Sequence, residues 1–155
     1  PVDVCALVES PGGEVAAYGL AAAQLRRIRN FGVGDEGGDG GDKNGKTTLT
    51  VCVDKIAASG GYMVACQATP GRLFAAPFAT VGSIGVVASA LNAHGLLAKL
   101  GIRDLVFPSS AAKAPVGLLG DVTREGIAVV QEEVERIHRA FAEMVVAARP
   151  GLREG

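Results

Sequence analysis

The feature that most constrains this chain is a unit that occurs twice: a short apolar run, a glycine turn and a stretch with helical spacing. Val4-Cys5-Ala6-Leu7-Val8 is closed by Ser10-Pro11-Gly12-Gly13, a turn signal after an apolar strand. Residues 14–29 then predict a helix, with Val15, Leu20, Ala23, Leu25 and Ile28 inward, Arg26, Arg27 and Arg29 at the C-terminal end and Asn30 as the stop. Thr48-Leu49-Thr50-Val51-Cys52-Val53 repeats the strand, and Ser59-Gly60-Gly61 opens a second helix through Tyr62, Met63, Val64 and Cys66. Strands alternating with helices predict an α/β layer with a mainly parallel sheet.

Beyond the repeat, residues 72–76 read as a short strand, 81–87 as an apolar segment punctuated by glycine and 91–100 as a helix. Residues 104–107 predict a further strand leading into a loop over 108–120. The last helix, over about 123–148, carries Ile127, Val130, Val134, Ile137, Phe141 and Val145 in one apolar stripe. Residues 32–46 are almost purely Gly, Asp, Glu, Lys and Asn. Such a segment buries too little apolar area to offset its ordering entropy and reads as a mobile surface-loop insertion.

At 155 residues, 48% of them hydrophobic, the chain suffices for one sizeable core, so a single domain over 1–155 is expected. Fifteen Lys and Arg against 16 Asp and Glu give no global electrostatic reason to bind nucleic acid or an anionic membrane. Cys5, Cys52 and Cys66 lie in apolar runs without metal-ligand spacing and read as three buried, unpaired thiols. Two histidines without ligand spacing argue against a metal site. No stretch is long enough to span a bilayer, and Pro1-Val2-Asp3-Val4 resembles neither a signal peptide nor a natural start. The chain reads as an excised soluble core of a longer protein.

Two string matches fail on context. Gly40-Gly41-Asp42-Lys43-Asn44-Gly45-Lys46-Thr47 fits the phosphate-loop string, but that loop must follow a strand and open a helix. Here it follows acidic coil and opens a strand. Ser110-Ala111-Ala112-Lys113 matches S-x-x-K, yet Pro108 and Pro115 bracket it and the partner motifs S-D-N and K-T-G are missing.

The chemistry points to Ser59. It lies between an apolar strand and a helix start, where Gly60 and Gly61 let the chain turn sharply and leave the Gly60 N–H free to stabilise an oxyanion. The bland alternative is a serine N-cap. A serine nucleophile needs a base that is neutral near working pH, and a lysine qualifies only where desolvation disfavours its ammonium form. Lys55 precedes Ser59 by four residues but diverges from it if a strand gives way to a helix, so it reads as a surface charge. His94 and His138 have no acid in an arrangement suggesting a triad.

Glu9-Ser10-Pro11-Gly12-Gly13 with Tyr18-Gly19-Leu20-Ala21-Ala22, the run from Val53 to Met63 and the run from Ala76 to Val87 resemble the SohB branch of the signal peptide peptidase A family. The resemblance runs in order along nearly the whole chain, interrupted by 32–46. It implies a ClpP/crotonase-type fold of repeated strand-strand-helix units and a membrane-associated serine protease that uses a lysine base and neither ATP nor any other cofactor. It makes Gly13, with Gly12 next, the second oxyanion donor. Lys113 becomes the catalytic base by its place between the strand at 104–107 and Leu118-Leu119-Gly120-Asp121, although alanines and Pro115 replace the aromatic and polar neighbours usual in the family. Ser83, in Gly82-Ser83-Ile84-Gly85, becomes the serine that orients the lysine. The implied substrate is an extended peptide laid along an exposed edge beside Gly12-Gly13, such as a signal-peptide remnant or a membrane-associated polypeptide. A homo-oligomeric ring and membrane attachment through segments outside this chain are implied as well. Two alternatives stay open: a crotonase-like acyl-CoA enzyme, which shares the fold and the paired N–H donors, and a catalytically silent interaction module.

Overall fold

The structure, a computed structural model, describes residues 2–31, 47–109 and 116–152. The chain divides into two compact units, Pro1–Gly85 with Phe141–Gly155, and Val86–Ala140. The expected insertion at 32–46 lies outside the described residues, although Thr47 begins a strand and not a helix, as the reading of the phosphate-loop match required.

The first unit holds a four-stranded sheet in which every pairing is parallel. β1 (Val2–Ser10) and β2 (Thr47–Ala58) pair from Val2↔Thr47 to Val8↔Val53, and a bulge then shifts the register so that Ser10 meets Ala57. On its other edge β2 pairs first with β3 (Leu73–Ala75) at Val51–Val53 and then with β4 (Thr80–Gly82) at Ile56–Ala58. The apolar segment expected over 81–87 is therefore strand only as far as Gly82.

One face of the sheet packs on helices. Val8, Leu49, Val51 and Val53 are buried with Met63, Ala65, Cys66 and Ala68, and each fully buried Leu or Val contributes about 1.5–3 kcal/mol. The opposite face has no such cover among the described residues, so the three thiols expected to be buried differ in exposure. Cys66 is buried, but Cys52 is half-buried and Cys5 exposed, because strand residues two apart share a face and these two belong to the open one. All three thiols are free.

Helix α1 (Val15–Asn30) begins and ends within a residue of expectation, but its inward face is rotated from the expected one. Ala22 is its buried residue, whereas Leu20 is 63% exposed. The stripe that meets the sheet and the next helix runs Val15, Tyr18, Ala22, Leu25, Arg29 at three- and four-residue spacing. Arg29 lies on that face because its guanidinium donates to the Gln67 carbonyl at 3.2 Å. α2 (Gly60–Ala65) follows β2 directly and is buried along nearly its whole length.

The second unit contains α3 (His94–Lys99) and the first turns of α4 (Arg124–Ala148). α3 starts three residues later than expected, after Asn92, whose Oδ1 accepts the His94 N–H while its Nδ2 donates to the carbonyls of Gly117 and Gly120. α3 ends in a Schellman motif, with Gly101 at φ +70° and the Ile102 N–H on the Leu97 carbonyl at 3.0 Å. The strand expected at 104–107 does not form. The segment is irregular and exposed, and finds no ladder partner among the described residues. A strand needs one, since its backbone groups have no partners within their own segment. α4 follows its expected stripe, but its buried apolar side chains are Phe141, Val145 and Ala148, which count with the first unit, while Ile127 is 53% exposed. Among the described residues no helix is long and apolar enough to cross a membrane.

Candidate active site

Ser59 is the one residue between the end of β2 and the start of α2. Its backbone stands at φ +52°, ψ −121°, a conformation that costs a residue with a side chain about 1–3 kcal/mol and that clusters at functional sites. Local hydrogen bonds hold it there. The Ser59 N–H donates to the Gly82 carbonyl at 2.8 Å, and its own carbonyl accepts from Tyr62 and Met63 at 2.9 and 3.1 Å. Its hydroxyl makes no capping bond to the helix, so the N-cap reading does not account for the residue. A strained strand-to-helix turn that presents a serine hydroxyl is the arrangement used to expose the nucleophile in α/β-hydrolases.

The loop after β1 lies directly on this turn. Gly12 has φ +98°, and a Cβ there would stand 2.7 Å from Ser59 Cβ and 2.8 Å from both the Ala58 carbonyl oxygen and the Gly60 nitrogen. A Cβ on Gly61 would run into the Ser10 carbonyl, and one on Gly60 would stand 2.5 Å from the Tyr18 ring. At Gly12 and Gly61 the glycine requirement thus has a cause the sequence reading missed, two segments of the protein packed backbone to backbone, and at Gly60 it comes from the Tyr18 ring. Gly12 spends its own N–H on Ser10 Oγ at 3.2 Å, which leaves the Gly13 N–H as the available donor of that loop.

Ser83 reaches the same place through the sheet. Ala58 pairs with Gly82, so the residues that follow, Ser59 and Ser83, leave adjacent strands at the same level. Ser83 also has positive φ, +57°. It is exposed and its hydroxyl has no hydrogen-bond partner among the described residues, unlike a buried serine bonded to backbone. Of the expected site residues, Ser59, Gly60, Gly12, Gly13 and Ser83 belong to this cluster, and Lys113, with 110–115, lies outside the described residues.

Lys55 is excluded as the base. Its ammonium pairs with Glu9 across β1 and β2 at 3.1 Å, and that hydrogen bond and the carboxylate charge push its pKa up, away from the neutral form a base requires. His94 Nδ1 lies 3.2 Å from the Leu119 carbonyl and His138 is exposed on α4. No cluster of three or more potential metal ligands exists among the described residues. Tyr18 and Ser10, whose oxygens are 2.8 Å apart, stand in the motifs that carry the family resemblance but gain no role of their own from the sequence. The only available signal was a serine ahead of Pro-Gly, a pattern that favours a side-chain-bonded turn.

Residues 42–152 match the model of "Peptidase family S49". The chain is similar to a probable protease SohB from Haemophilus influenzae, 42% identical over 97% of the chain and 38% of the relative. It is similar to a probable protease SohB from Buchnera aphidicola, 39% identical over 97% of the chain and 44% of the relative. A putative signal peptide peptidase SppA from Enterococcus faecium is 30% identical over 92% of the chain and 37% of the relative. The chain therefore spans about two fifths of the length of these relatives. With the parallel sheet and its strand-to-helix serine turn, these matches place the fold among ClpP/crotonase-like folds, and the chain belongs to peptidase family S49.

Proposed function

We propose that this chain is the core of a serine endopeptidase in which Ser59 is the nucleophile and Lys113 the base. Ser59 Oγ attacks the scissile carbonyl carbon while its proton passes to the neutral Lys113 amine. The oxyanion that develops takes the N–H groups of Gly60 and Gly13. The lysine then protonates the leaving amine, and water cleaves the acyl-enzyme by the reverse sequence. Ser83 orients the lysine from the neighbouring strand end. Ala111, Ala112, Ala114 and Pro115 supply apolar neighbours of the kind that keep an amine neutral.

The observation that carries this reading is Ser59 itself, strained at φ +52° on a strand-to-helix turn with a hydroxyl not used as a cap. Family membership favours peptide hydrolysis over acyl-CoA chemistry. Extended peptides suit the site, since the glycine loop offers backbone groups to pair with an added strand. Signal-peptide remnants and membrane-associated polypeptides are the substrates we propose, with a homo-oligomeric protein attached to the membrane by segments beyond this chain.

The test is fluorophosphonate labelling of the whole protein. Ser59 should carry the label, and Ser59→Ala should lose both label and peptide hydrolysis, by at least several hundred-fold. Hydrolysis that persists in Ser59→Ala would refute the assignment.

A further inference from the structure

We propose that Tyr18 is a positioning residue that sets the oxyanion hole by holding the Gly13 loop and the Ser59 turn at a fixed separation; the inference rests on the nucleophile and donor roles proposed above. Tyr18 lies in the first turn of α1, where its N–H donates to the Glu14 carbonyl at 3.2 Å. Its ring touches both backbones that carry the proposed donors. A Cβ on Gly13 would stand 3.0 Å from Tyr18 Cε2, and a Cβ on Gly60 would stand 2.5 Å from Cγ and 2.7 Å from Cδ2. One rigid aromatic face is thus the spacer between two peptide groups 47 positions apart in sequence.

The hydroxyl end fixes the loop in a second way. Tyr18 Oη is 2.8 Å from Ser10 Oγ, and Ser10 Oγ accepts the Gly12 N–H at 3.2 Å. This chain of bonds withdraws the Gly12 N–H from substrate and fixes the peptide that precedes Gly13. It selects Gly13 over Gly12 as the loop's oxyanion donor. Oxyanion stabilisation needs donors within about 2.7–3.1 Å of the developing charge, and a spacer that lets one of them drift weakens the transition state without touching substrate.

Tyr18→Phe keeps the ring and loses the bond to Ser10, so kcat should fall about tenfold with KM unchanged, the sign of an interaction felt in the transition state alone. The fluorophosphonate labelling rate of Ser59 should fall by a similar factor. Ser10→Ala should reproduce the loss, and the double variant should be no worse than either single one, because both remove the same bond. Tyr18→Leu removes the spacer and should lower kcat by a further factor of ten or so. A merely structural tyrosine would lower the fraction of active enzyme while leaving kcat per labelled Ser59 intact, and that result would overturn the proposal. Additive losses in the double variant would overturn it too. If the unmutated protein labels at Ser59 and dies on Ser59→Ala while Tyr18→Phe keeps its kcat, the positioning role alone fails. If Ser59→Ala stays active, the underlying site assignment fails.

Discussion

Replacing Gly12 by alanine isolates the contact between the two site loops. Two costs arise together. At φ +98° a side chain meets the ordinary left-handed penalty of about 1–2 kcal/mol. The new Cβ would also stand 2.7 Å from Ser59 Cβ and 2.8 Å from Ala58 O and Gly60 N. Backbone and Cβ atoms cannot rotate away, so the overpacking adds about 1–3 kcal/mol. The sum, about 2–5 kcal/mol, is a large part of ordinary domain stability. For a chain of this length it corresponds to a melting temperature roughly 5–20 °C lower. Gly71 supplies the control: it has φ +77° but nothing within 4 Å of its would-be Cβ, so Gly71→Ala carries the backbone penalty alone, about 1–2 kcal/mol. Thermal unfolding followed by circular dichroism reads both. A loss in Gly12→Ala no larger than that in Gly71→Ala would refute the reasoning, since it would mean that the loop and the Ser59 turn are not packed against each other.

The strain at Ser59 predicts a trade of stability for function: Ser59→Gly should abolish hydrolysis yet raise stability by about 1 kcal/mol, because glycine accepts φ +52° freely; a lower melting temperature would count against strain at that position. Lys113→Arg keeps the charge but cannot release its proton near neutral pH, so it should be as inactive as Lys113→Met at every pH assayed, and substantial residual hydrolysis would end the lysine-base proposal. Burial pushes the Cys66 thiol and the Tyr62 phenol above their ordinary values of 9.0 and 10.0. Both groups therefore bind their protons more tightly when folded, and their contribution is fully present below pH 9 and is lost as pH rises through the folded values. The melting temperature should fall from about pH 9 upward, and Cys66→Ala should flatten that fall; an unchanged slope would show that the thiol does not titrate with unfolding.

Local patterns determined much of this protein. Apolar runs closed by glycine turns specify β1, β2 and their helices, because strand and helix periodicities are written in neighbouring residues. Ser59 was legible as a candidate because a serine followed by two glycines between a strand and a helix start is itself a local signal. Tertiary structure decided what lies beside it. Ser83 reaches the Ser59 turn only through the parallel register that joins Ala58 to Gly82, and register is a property of two strands, not of either sequence. The same holds for Tyr18, whose ring serves Gly13 and Gly60 together although no periodicity distinguishes it from an ordinary helix aromatic. Helix α1 turned its Ala22 stripe inward and left Leu20 exposed, since close approach to α2 favours the smallest side chain over the most apolar one. Cys5 reads as a core residue in its own apolar run, yet it faces the open side of the sheet. Burial depends on which face is covered, and that is settled where elements meet.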